Sequence, residues 1–392
     1  MIKNIKIAIY TGTIPSTTFI ERLILGLSEK GLKIYLFGFQ NKKISSNQNT
    51  QFYTYTSKIS KLFQLLKYSF LLRFFKSREK KKLDSIIVSK KSNARLLKVK
   101  YYPVLYHHPD IFHIQWAKSI EDWVWVQEFG MKLVVSLRGT HVTISPIGDK
   151  HWAKTYAQYF PQVDRFHAVS ESMIKTVKKF GADPSKIDVV RSGLNIDQLS
   201  FQNKIKKNKS LNIISVGRSH WAKGYSYGLD AIQLFKNNKI DFNYTIIGVE
   251  DDEELLYKRS LFNLEKEISF IGNLPFDDVV SEIQKADVLL LPSVEEGIAN
   301  VVLEAMALGT LVVATECGGM KEVITNNENG FLTPIRDVEA MNLALIKVSK
   351  LTEIEYQKIT NSARKKIEEQ YSHNKTTADM VALYQRVITT EL

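Results

Sequence analysis

The sequence predicts an α/β fold made of two doubly wound halves, each with a parallel sheet between helices. Short apolar runs alternate with helical stretches from residue 1 to about residue 196, and the same alternation begins again at residue 211. A polar stretch that contains several lysines separates the two regions. We therefore expect a first domain at 1–197, a linker at 198–210, a second domain at 211–375 and a final helical segment at 376–392.

Apolar runs of strand length mark the first half. The expected strands are 5–9, 33–37, 110–115, 132–137 and 166–169. A helix at 19–29 follows the first strand, and Gly31 ends it. Polar residues such as Arg138 and Ser170 follow several of these strands, at the sheet edge where α/β proteins bind ligands. Gly12, after the first strand, either lets a ligand approach the backbone or belongs to an ordinary turn.

The second half repeats this pattern. Its expected strands are 212–216, 244–247, 268–271, 288–291 and 311–314, and its expected helices include 298–308, 362–369 and 376–388. Pro292 follows the fourth of these strands, and Gly309 ends the helix that comes next. The two halves are then Rossmann-like domains that face a cleft.

The most informative stretch is DVLLLPSVEEGIANVVLEAMALG at 287–309. Its helix is apolar on nearly every face, and Glu304 is the one charged residue between positions 298 and 313. A buried carboxylate needs hydrogen bonds, so Glu304 is either a bonded core acid or an acid that a ligand's hydroxyl groups satisfy. Glu296 lies eight residues earlier, and between the two acids the helix N-terminus, at Ile298 and Ala299, suits an anion.

The pattern PS-x-x-EG-x5-LEAMA-x-G in this stretch resembles the signature of the family 4 retaining glycosyltransferases of the GT-B fold. The resemblance implies that Glu304 holds the ribose hydroxyls of a nucleotide-sugar donor. It implies that Glu296 contacts the donor sugar and helps to position the anomeric carbon. It also implies that the first domain lies on the acceptor side, that the second binds the nucleotide sugar, and that the final helix at 376–392 crosses back to the first domain. The resemblance covers most of the chain, is strong from position 212 to position 332, and is weak before position 109.

Two further motifs in the second half fit this resemblance. Arg218 and Lys223, beside Gly217, are two cations five residues apart after a strand, which suits either a diphosphate or a solvated loop. In this context they look like the family's diphosphate-binding pair. Gly272 occupies a turn whose backbone holds the nucleotide base in the family, although Pro275 is also compatible with an ordinary turn.

The first half departs from the family pattern at one site. Family members often carry His-Gly-x-Asp where this chain has Arg138 in place of histidine and His141 in place of aspartate. Its position at a strand end makes His141 either a catalytic residue or a bonded structural histidine. The segment 192–195 resembles the family's Asn-Gly-Val-Asp with two changes, and we expect only a hinge role for it.

Cysteine content and the length of the apolar runs indicate the cellular compartment. Cys317 is the single cysteine, so no disulfide can form within the chain, and a reducing compartment fits. The first apolar run is too short for a secretory signal, and no run approaches the ~18 residues that a membrane span needs. We expect a cytoplasmic protein, either soluble or peripheral on the inner face of the membrane.

The net charge of +13 is concentrated in one segment. Fourteen Lys or Arg residues and two acidic residues lie between Lys58 and Lys100. The basic residues of the helical part, 58–76, do not keep to one face of a helical wheel. The segment is either a solvated basic face or a surface that docks on anionic membrane. No recognition motif accompanies the charge, so nucleic acid is not an expected partner.

The sequence does not predict a metal or a cofactor. His107, His108 and His113 lack metal-ligand spacing, and there is no Asp-x-Asp pair of the kind that holds a cation in metal-dependent glycosyltransferases of the other main fold. Arg218, Lys223 and the helix N-terminus at Ile298 would balance the diphosphate charge. Four tryptophans of the first half are either core residues or an aromatic platform for an acceptor sugar: Trp116, Trp123, Trp125 and Trp152.

The expected function is therefore a retaining transfer of a sugar from a nucleoside diphosphate sugar to a hydroxyl group of a growing glycan, with a lipid-linked or cell-surface polysaccharide as acceptor. By resemblance, the leaving phosphate can take the acceptor's proton. The alternatives are a GT-B sugar phosphorylase and a non-catalytic partner in glycan assembly. The base, the sugar and the linkage do not follow from the sequence.

Overall fold

The computed structural model describes residues 5–42, 49–90, 92–204 and 210–389. Part of the expected linker, with Lys206, Lys207 and Lys209, lies outside these ranges. Contacts between residues divide the chain into two compact units. The first unit comprises Met1–Val169, Met173–Gly193 and His373–Leu392, and the second comprises Ser170–Ser172 and Leu194–Ser372.

Each unit contains one parallel sheet. The strands of the first are β1 Lys6–Tyr10, β2 Thr13–Ile14, β3 Lys33–Gln40, β4 Thr50–Tyr55, β5 Ile111–Ile114, β6 Lys132–Leu137, β7 Arg165–Ala168 and β8 Ile187–Val189. They are arranged in the order β2-β3-β1-β5-β6-β7-β8, and β4 pairs with β3. The strands of the second are β9 Leu211–Val216, β10 Phe242–Ile247, β11 Ile268–Ile271, β12 Val288–Leu291, β13 Leu311–Thr315 and β14 Phe331–Thr333, in the order β11-β10-β9-β12-β13-β14.

Helices follow most of the strands in both units. From the N-terminus they are α1 Thr18–Glu29, α2 Lys58–Phe75, α3 Ser77–Ser89, α4 Ala94–His107, α5 Ile120–Trp123, α6 Thr140–Thr143, α7 Ser145–Gly148, α8 Lys150–Tyr159 and α9 Ser172–Lys178. They continue as α10 Tyr225–Lys236, α11 Glu253–Leu261, α12 Phe276–Lys285, α13 Asn300–Leu308, α14 Met320–Val323, α15 Val338–Lys350, α16 Glu353–Gln370 and α17 His373–Thr389. The prediction of two parallel-sheet α/β halves is confirmed.

The last helix is part of the first unit, where it packs against α1. The two helices are in close contact at Gly26, where an added Cβ atom would lie 2.3 Å from Thr377 Oγ1 and would force side chains of the last helix to move. Tyr384 of α17 also lies 2.8 Å from His113 Nδ1 in the buried strand β5. The helix begins at His373, three residues before the expected start, and these contacts place it on the sheet of the first unit.

The core of the second unit confirms that the helix after β12 is buried. All residues of β12 and β13 are buried, because a parallel sheet is covered on both faces. Seven of the nine residues of α13 are buried, and Gly309 ends this helix in the left-handed region at φ 84°. A helix that is apolar all round is stable only in such a setting.

Several elements differ from the expectations. The helix expected at 362–369 extends over Glu353–Gln370, where Thr352 and Glu355 form a capping box. Its first turns are largely polar, so apolar spacing alone did not reveal them. Strand β4 was not expected either, since Thr, Gln and Tyr dominate its sequence and it pairs only with β3.

The linker residue Lys204 is half-buried within the second unit. Its side-chain nitrogen lies within hydrogen-bond distance of the carbonyl oxygens of Ile283 and Ala286 and of Thr310 Oγ1, the last at 2.7 Å. Burial lowers the pKa of Lys204 to about 7. The pKa of lysine in an unfolded chain is ~10.4, so between these two pH values the unfolded chain binds a proton that the folded protein does not.

We therefore expect the free energy of unfolding to rise with pH between about 7 and 10 because of Lys204, and to show no further change from this group below its folded pKa. The measurement is urea unfolding of wild type and Lys204→Met at pH 7, 8 and 9. The wild type should gain stability relative to the variant at each step. A difference that stays constant with pH would contradict the assignment, and Lys285→Met, at an exposed lysine, is the control.

Across the described ranges, no helix is both long enough and apolar enough to cross a membrane.

Candidate nucleotide-sugar site

The candidate site of the second unit lies at the carboxyl ends of its central strands. Strands β9, β12 and β13 are neighbours in the parallel sheet, so the loops that follow them meet at one edge. These loops are 217–224, 292–299 and 316–319. Ligands of open α/β sheets bind beyond this edge.

An ion pair joins two of the predicted site residues. Lys223 Nζ lies 2.7 Å from Glu296 Oε1, and Ser293 Oγ donates a 3.0 Å hydrogen bond to the same oxygen. The side chains of Lys223 and Glu296 are 21% and 16% exposed, so the pair is largely but not fully shielded from water. The sequence assigned Lys223 to the diphosphate and Glu296 to the sugar, and it did not indicate that they pair with each other.

The backbone of the first loop is packed tightly against the second. A Cβ atom on Gly224 would lie 2.1 Å from the carbonyl oxygen of Pro292, so only glycine allows this approach. The N–H of Val294 also donates a 2.7 Å hydrogen bond to the carbonyl oxygen of Ala222. These contacts fix the turn that carries Lys223 beside the loop that carries Glu296.

Gly318 and Gly319, which follow β13, support Glu296 from the other side. The Gly319 N–H donates a 2.7 Å hydrogen bond to the carbonyl oxygen of Gly297. Gly318 has φ +52°, and a Cβ atom there would lie 1.8 Å from the Glu296 carbonyl oxygen. Sequence reasoning missed both glycines, although two consecutive glycines in the loop after a buried strand are a signal of close backbone approach.

Arg218 supplies a second cation at this edge. Its side chain is exposed, and it forms no ion pair or hydrogen bond with any residue that the structure describes. This charge affects His220 in the same loop. Burial lowers the pKa of the His220 imidazole, and the positive charges of Arg218 and Lys223 lower it further, while Glu296 opposes the shift. The loop after β9 therefore offers a positive potential to an anion.

Gly217, at the start of this loop, leaves room for the side chain of Lys223. A Cβ atom added to Gly217 would lie 3.0 Å from the terminal carbon of Lys223.

The helix N-terminus lies two residues later than expected. Helix α13 begins at Asn300, while Ile298 and Ala299 precede it. Ala299 is the N-cap residue and has extended backbone angles, and an alanine side chain cannot accept a hydrogen bond from the first turn. The run IANVV contains Asn300, a residue type that favours the N-cap position, but the structure places Asn300 at the first helical position instead. The uncapped first turn leaves amide groups available to an anionic ligand.

Glu304 lies in the second turn of α13. It is half-buried, whereas its neighbours Leu303 and Ala305 are fully buried. The Glu304 side chain is therefore more accessible than those of its two neighbours. Gly272 follows β11, and a Cβ atom there would lie 2.6 Å from Glu250 Oε2.

The remaining site predictions fall in the first unit. Gly12 has φ +85°, and an added Cβ atom would meet nothing within 4 Å, so its surroundings are open. His141 is half-buried in α6, with its ring 5.1 Å from that of Trp116 and its carbonyl oxygen bonded to Tyr156. Neither residue belongs to the unit that contains Glu296 and Lys223.

Arg138, which stands where the family often has histidine, is buried. Its guanidinium group donates a 2.9 Å hydrogen bond to Gln115 Oε1 and lies 4.7 Å from the ring centroid of Phe19. Burial lowers the pKa of Arg138 to about 9, and no carboxylate within the described ranges pairs with it. It therefore contributes positive potential at the carboxyl end of β6.

The histidines and tryptophans of the first unit mostly have structural roles. His107 stacks on Tyr53 at 3.6 Å, His108 bonds to the Phe129 carbonyl, and His113 is fully buried. Trp123 and Trp125 are core residues, which favours packing over an acceptor platform for this pair, whereas Trp116 and Trp152 are half-buried.

Cys317 is also buried, and burial raises the pKa of its thiol to about 12, so it does not present a reactive thiolate. No group of three or more potential metal-ligating side chains occurs in the part of the chain that the structure describes.

The fold is that of known sugar-transferring enzymes. The crystal structure of a glycosyltransferase from Rickettsia africae ESF-5 matches 99% of this chain and 100% of that chain, with a TM-score of 0.73 and 17% sequence identity. At this identity the likeness establishes the fold, which is GT-B.

Two family models match consecutive parts of the sequence. The model for Glycosyltransferase Family 4 matches residues 17–198, and the model for glycosyl transferases group 1 matches residues 196–366. Together they account for both halves and for the loops described above. The chain belongs to the family 4 glycosyltransferases.

Curated relatives come from polysaccharide and glycan assembly. The amylovoran biosynthesis glycosyltransferase AmsK of Erwinia amylovora is 28% identical over 264 residues, which are 65% of this chain and 64% of AmsK. The N,N'-diacetylbacillosaminyl-diphospho-undecaprenol alpha-1,3-N-acetylgalactosaminyltransferase of Campylobacter jejuni is 27% identical over 248 residues, 59% of this chain and 63% of that enzyme. The chain spans less than two thirds of the length of these relatives.

Proposed function

We propose that this protein is an active, retaining glycosyltransferase that moves a sugar from a nucleoside diphosphate sugar to a hydroxyl group of a growing glycan. The observation that carries the proposal is the Lys223–Glu296 pair, held between three glycine-containing loops beside the uncapped start of α13. The donor carries negative charge on its diphosphate and hydroxyl groups on its sugar. A cation and a carboxylate side by side at the carboxyl edge of the sheet can bind these two parts.

The diphosphate is the part of the donor that gains negative charge as the glycosidic bond breaks. Arg218 is exposed and available to it, and Lys223 can turn from Glu296 towards the phosphate oxygens when the donor enters. The amides of the first turn of α13 add a positive dipole end. Stabilisation at the leaving group lowers the barrier, because charge develops there in the transition state. These groups offset the diphosphate charge without a metal ion.

Glu296 and Glu304 would bind the two hydroxylated ends of the donor. Glu296, released from Lys223, would accept hydrogen bonds from the donor sugar and orient its anomeric carbon. Glu304, half-buried in α13, would accept bonds from the ribose hydroxyls, while the backbone around Gly272 would contact the base. With retention of configuration, the leaving phosphate itself would take the acceptor's proton, so the site needs no separate protein base.

The acceptor proposed here is a lipid-linked or cell-surface polysaccharide precursor. The support is the similarity to relatives whose names specify amylovoran biosynthesis and a diphospho-undecaprenol substrate. A lipid-linked acceptor is confined to a membrane surface, and sugar nucleotides are made in the cytoplasm. We therefore propose that the protein works in the cytoplasm at the inner face of the membrane.

The test is calorimetric binding of a panel of nucleotide sugars to wild type and to Glu304→Ala. One donor should bind, and the variant should bind it about 10- to 100-fold more weakly, because a hydrogen bond to a charged group contributes about 1.5–3 kcal/mol. Glu369→Ala, which removes an exposed carboxylate from α16, is the matched control and should bind like wild type.

Two other results would overturn the proposal. Turnover of a glycan with inorganic phosphate and no nucleotide would identify a phosphorylase. Failure of every nucleotide sugar to bind would leave a non-catalytic role in glycan assembly.

A further inference from the structure

Helix α2 exposes an apolar stripe of unusual extent. Five large apolar side chains on one face of this helix are between 61% and 82% exposed: Ile59, Phe63, Leu66, Phe70 and Phe74. Their spacing of three or four residues places them within about one third of the circumference of an α-helix. Leu62 lies in the same sector, and Phe75 is also exposed. The basic residues of this segment do not share a face, whereas these apolar residues do, so the pattern lies in the apolar positions and not in the charge.

The opposite face anchors α2 to the first unit. Gln64, Tyr68 and Leu72 are buried, the helix packs against α4, and Tyr68 Oη lies 2.8 Å from His107 Nε2. A capping box of Ser57 and Ser60 fixes the first turn. One face of α2 therefore packs against the first unit, and the opposite face, which carries the stripe, is left exposed.

Charge identifies what the stripe would contact. The helix contains no Asp or Glu, and Lys58, Lys67 and Arg73 are exposed, with no ion pair to any described residue. A second copy of this helix would bring like charges together. An anionic lipid surface instead supplies negative headgroups for the cations and an apolar layer for the Phe and Leu side chains.

We propose that α2 docks this protein on an anionic lipid bilayer, with its apolar stripe at the boundary between headgroups and acyl chains. A helix of this kind lies in the plane of the interface, at a depth of about 5–10 Å. Lys67 on one side of the stripe and Lys58 on the other would contact phosphate headgroups, and Arg73 would reach them from within it. The proposed membrane location would then depend on α2, and docking would not require a bound sugar donor.

The test is flotation of the full chain with vesicles of phosphatidylcholine alone or with 30% phosphatidylglycerol. The wild type should float with the anionic vesicles at low salt. The double variant Phe63→Gln/Phe70→Gln should bind at least ~10-fold more weakly, since two buried aromatic side chains are lost from the interface. The matched control is Leu343→Gln/Ile354→Gln, which removes two comparably exposed apolar side chains elsewhere and should float like wild type.

A second variant separates charge from apolar insertion. Lys58→Gln/Lys67→Gln should reduce binding to anionic vesicles and weaken its salt dependence. Circular dichroism and donor binding, which should be unchanged in every variant, show that the fold and the nucleotide site are intact.

Failure of wild type to float even at low salt would overturn the docking proposal, and donor binding would still report on the transferase proposal. Self-association that the Phe variant abolishes would also overturn it, and would assign the stripe to an interface between copies.

Discussion

Glu296→Gln is expected to lower kcat of sugar transfer by about 10²- to 10³-fold, the effect of losing one preorganised electrostatic contact to the reacting group. The substitution keeps the shape of the side chain and its ability to accept the Ser293 hydrogen bond, but it removes the charge that holds Lys223. Donor affinity should change much less, because Glu304 and Arg218 still bind the nucleotide. Steady-state kinetics should therefore show a loss in kcat with a nearly constant KM.

The adjacent acid provides a matched control for this experiment. Glu295→Gln makes the same chemical change one residue away, in the same loop. It should leave kcat within about threefold of wild type, because substitutions away from the reacting groups have small effects. Equal losses in the two variants would show that only the loop's net charge matters. Full activity in Glu296→Gln would remove Glu296 from the reaction.

The sequence predicted the framework of this protein because its signals are local. Apolar runs of four to six residues identified strands such as β6 and β12, since parallel strands buried on both faces need nearly continuous hydrophobic sequence. Gly309 marked the end of α13 because the left-handed conformation that often ends a helix strongly favours glycine. The same local patterns carried the Glu296 and Glu304 motif.

Features that depend on two distant segments were not predictable in this way. The Lys223–Glu296 pair joins residues 73 positions apart, and only the neighbouring positions of β9 and β12 in the sheet bring them together. The exposed stripe of α2 was hidden for a related reason. An apolar periodicity reads as a core face, and the contacts of Tyr68 and Leu72 with the first unit decide which side of the helix is covered.

Gly318→Ala is expected to reduce kcat/KM at least ~10²-fold, because its methyl group would occupy the position of the Glu296 carbonyl oxygen. At 1.8 Å the contact is with backbone, which cannot rotate away, so the Glu296–Gly297 segment must move. Displacements of about 1 Å at catalytic groups cost about this factor. The thermal midpoint should also fall, since the left-handed conformation at φ +52° adds a cost of about 1–2 kcal/mol for any residue with a Cβ atom.

Gly130→Ala separates the two causes. Gly130 has a positive φ of 79°, and nothing lies within 4 Å of its added Cβ atom, so the variant carries the backbone cost without the clash. It should lower the thermal midpoint and leave kcat/KM unchanged. If Gly318→Ala lost only as much stability as Gly130→Ala and kept its activity, the loop after β13 would not position Glu296. A selective loss of activity in Gly318→Ala would instead show that Glu296 depends on support from the loop after β13, where only glycine allows the two backbones to approach this closely.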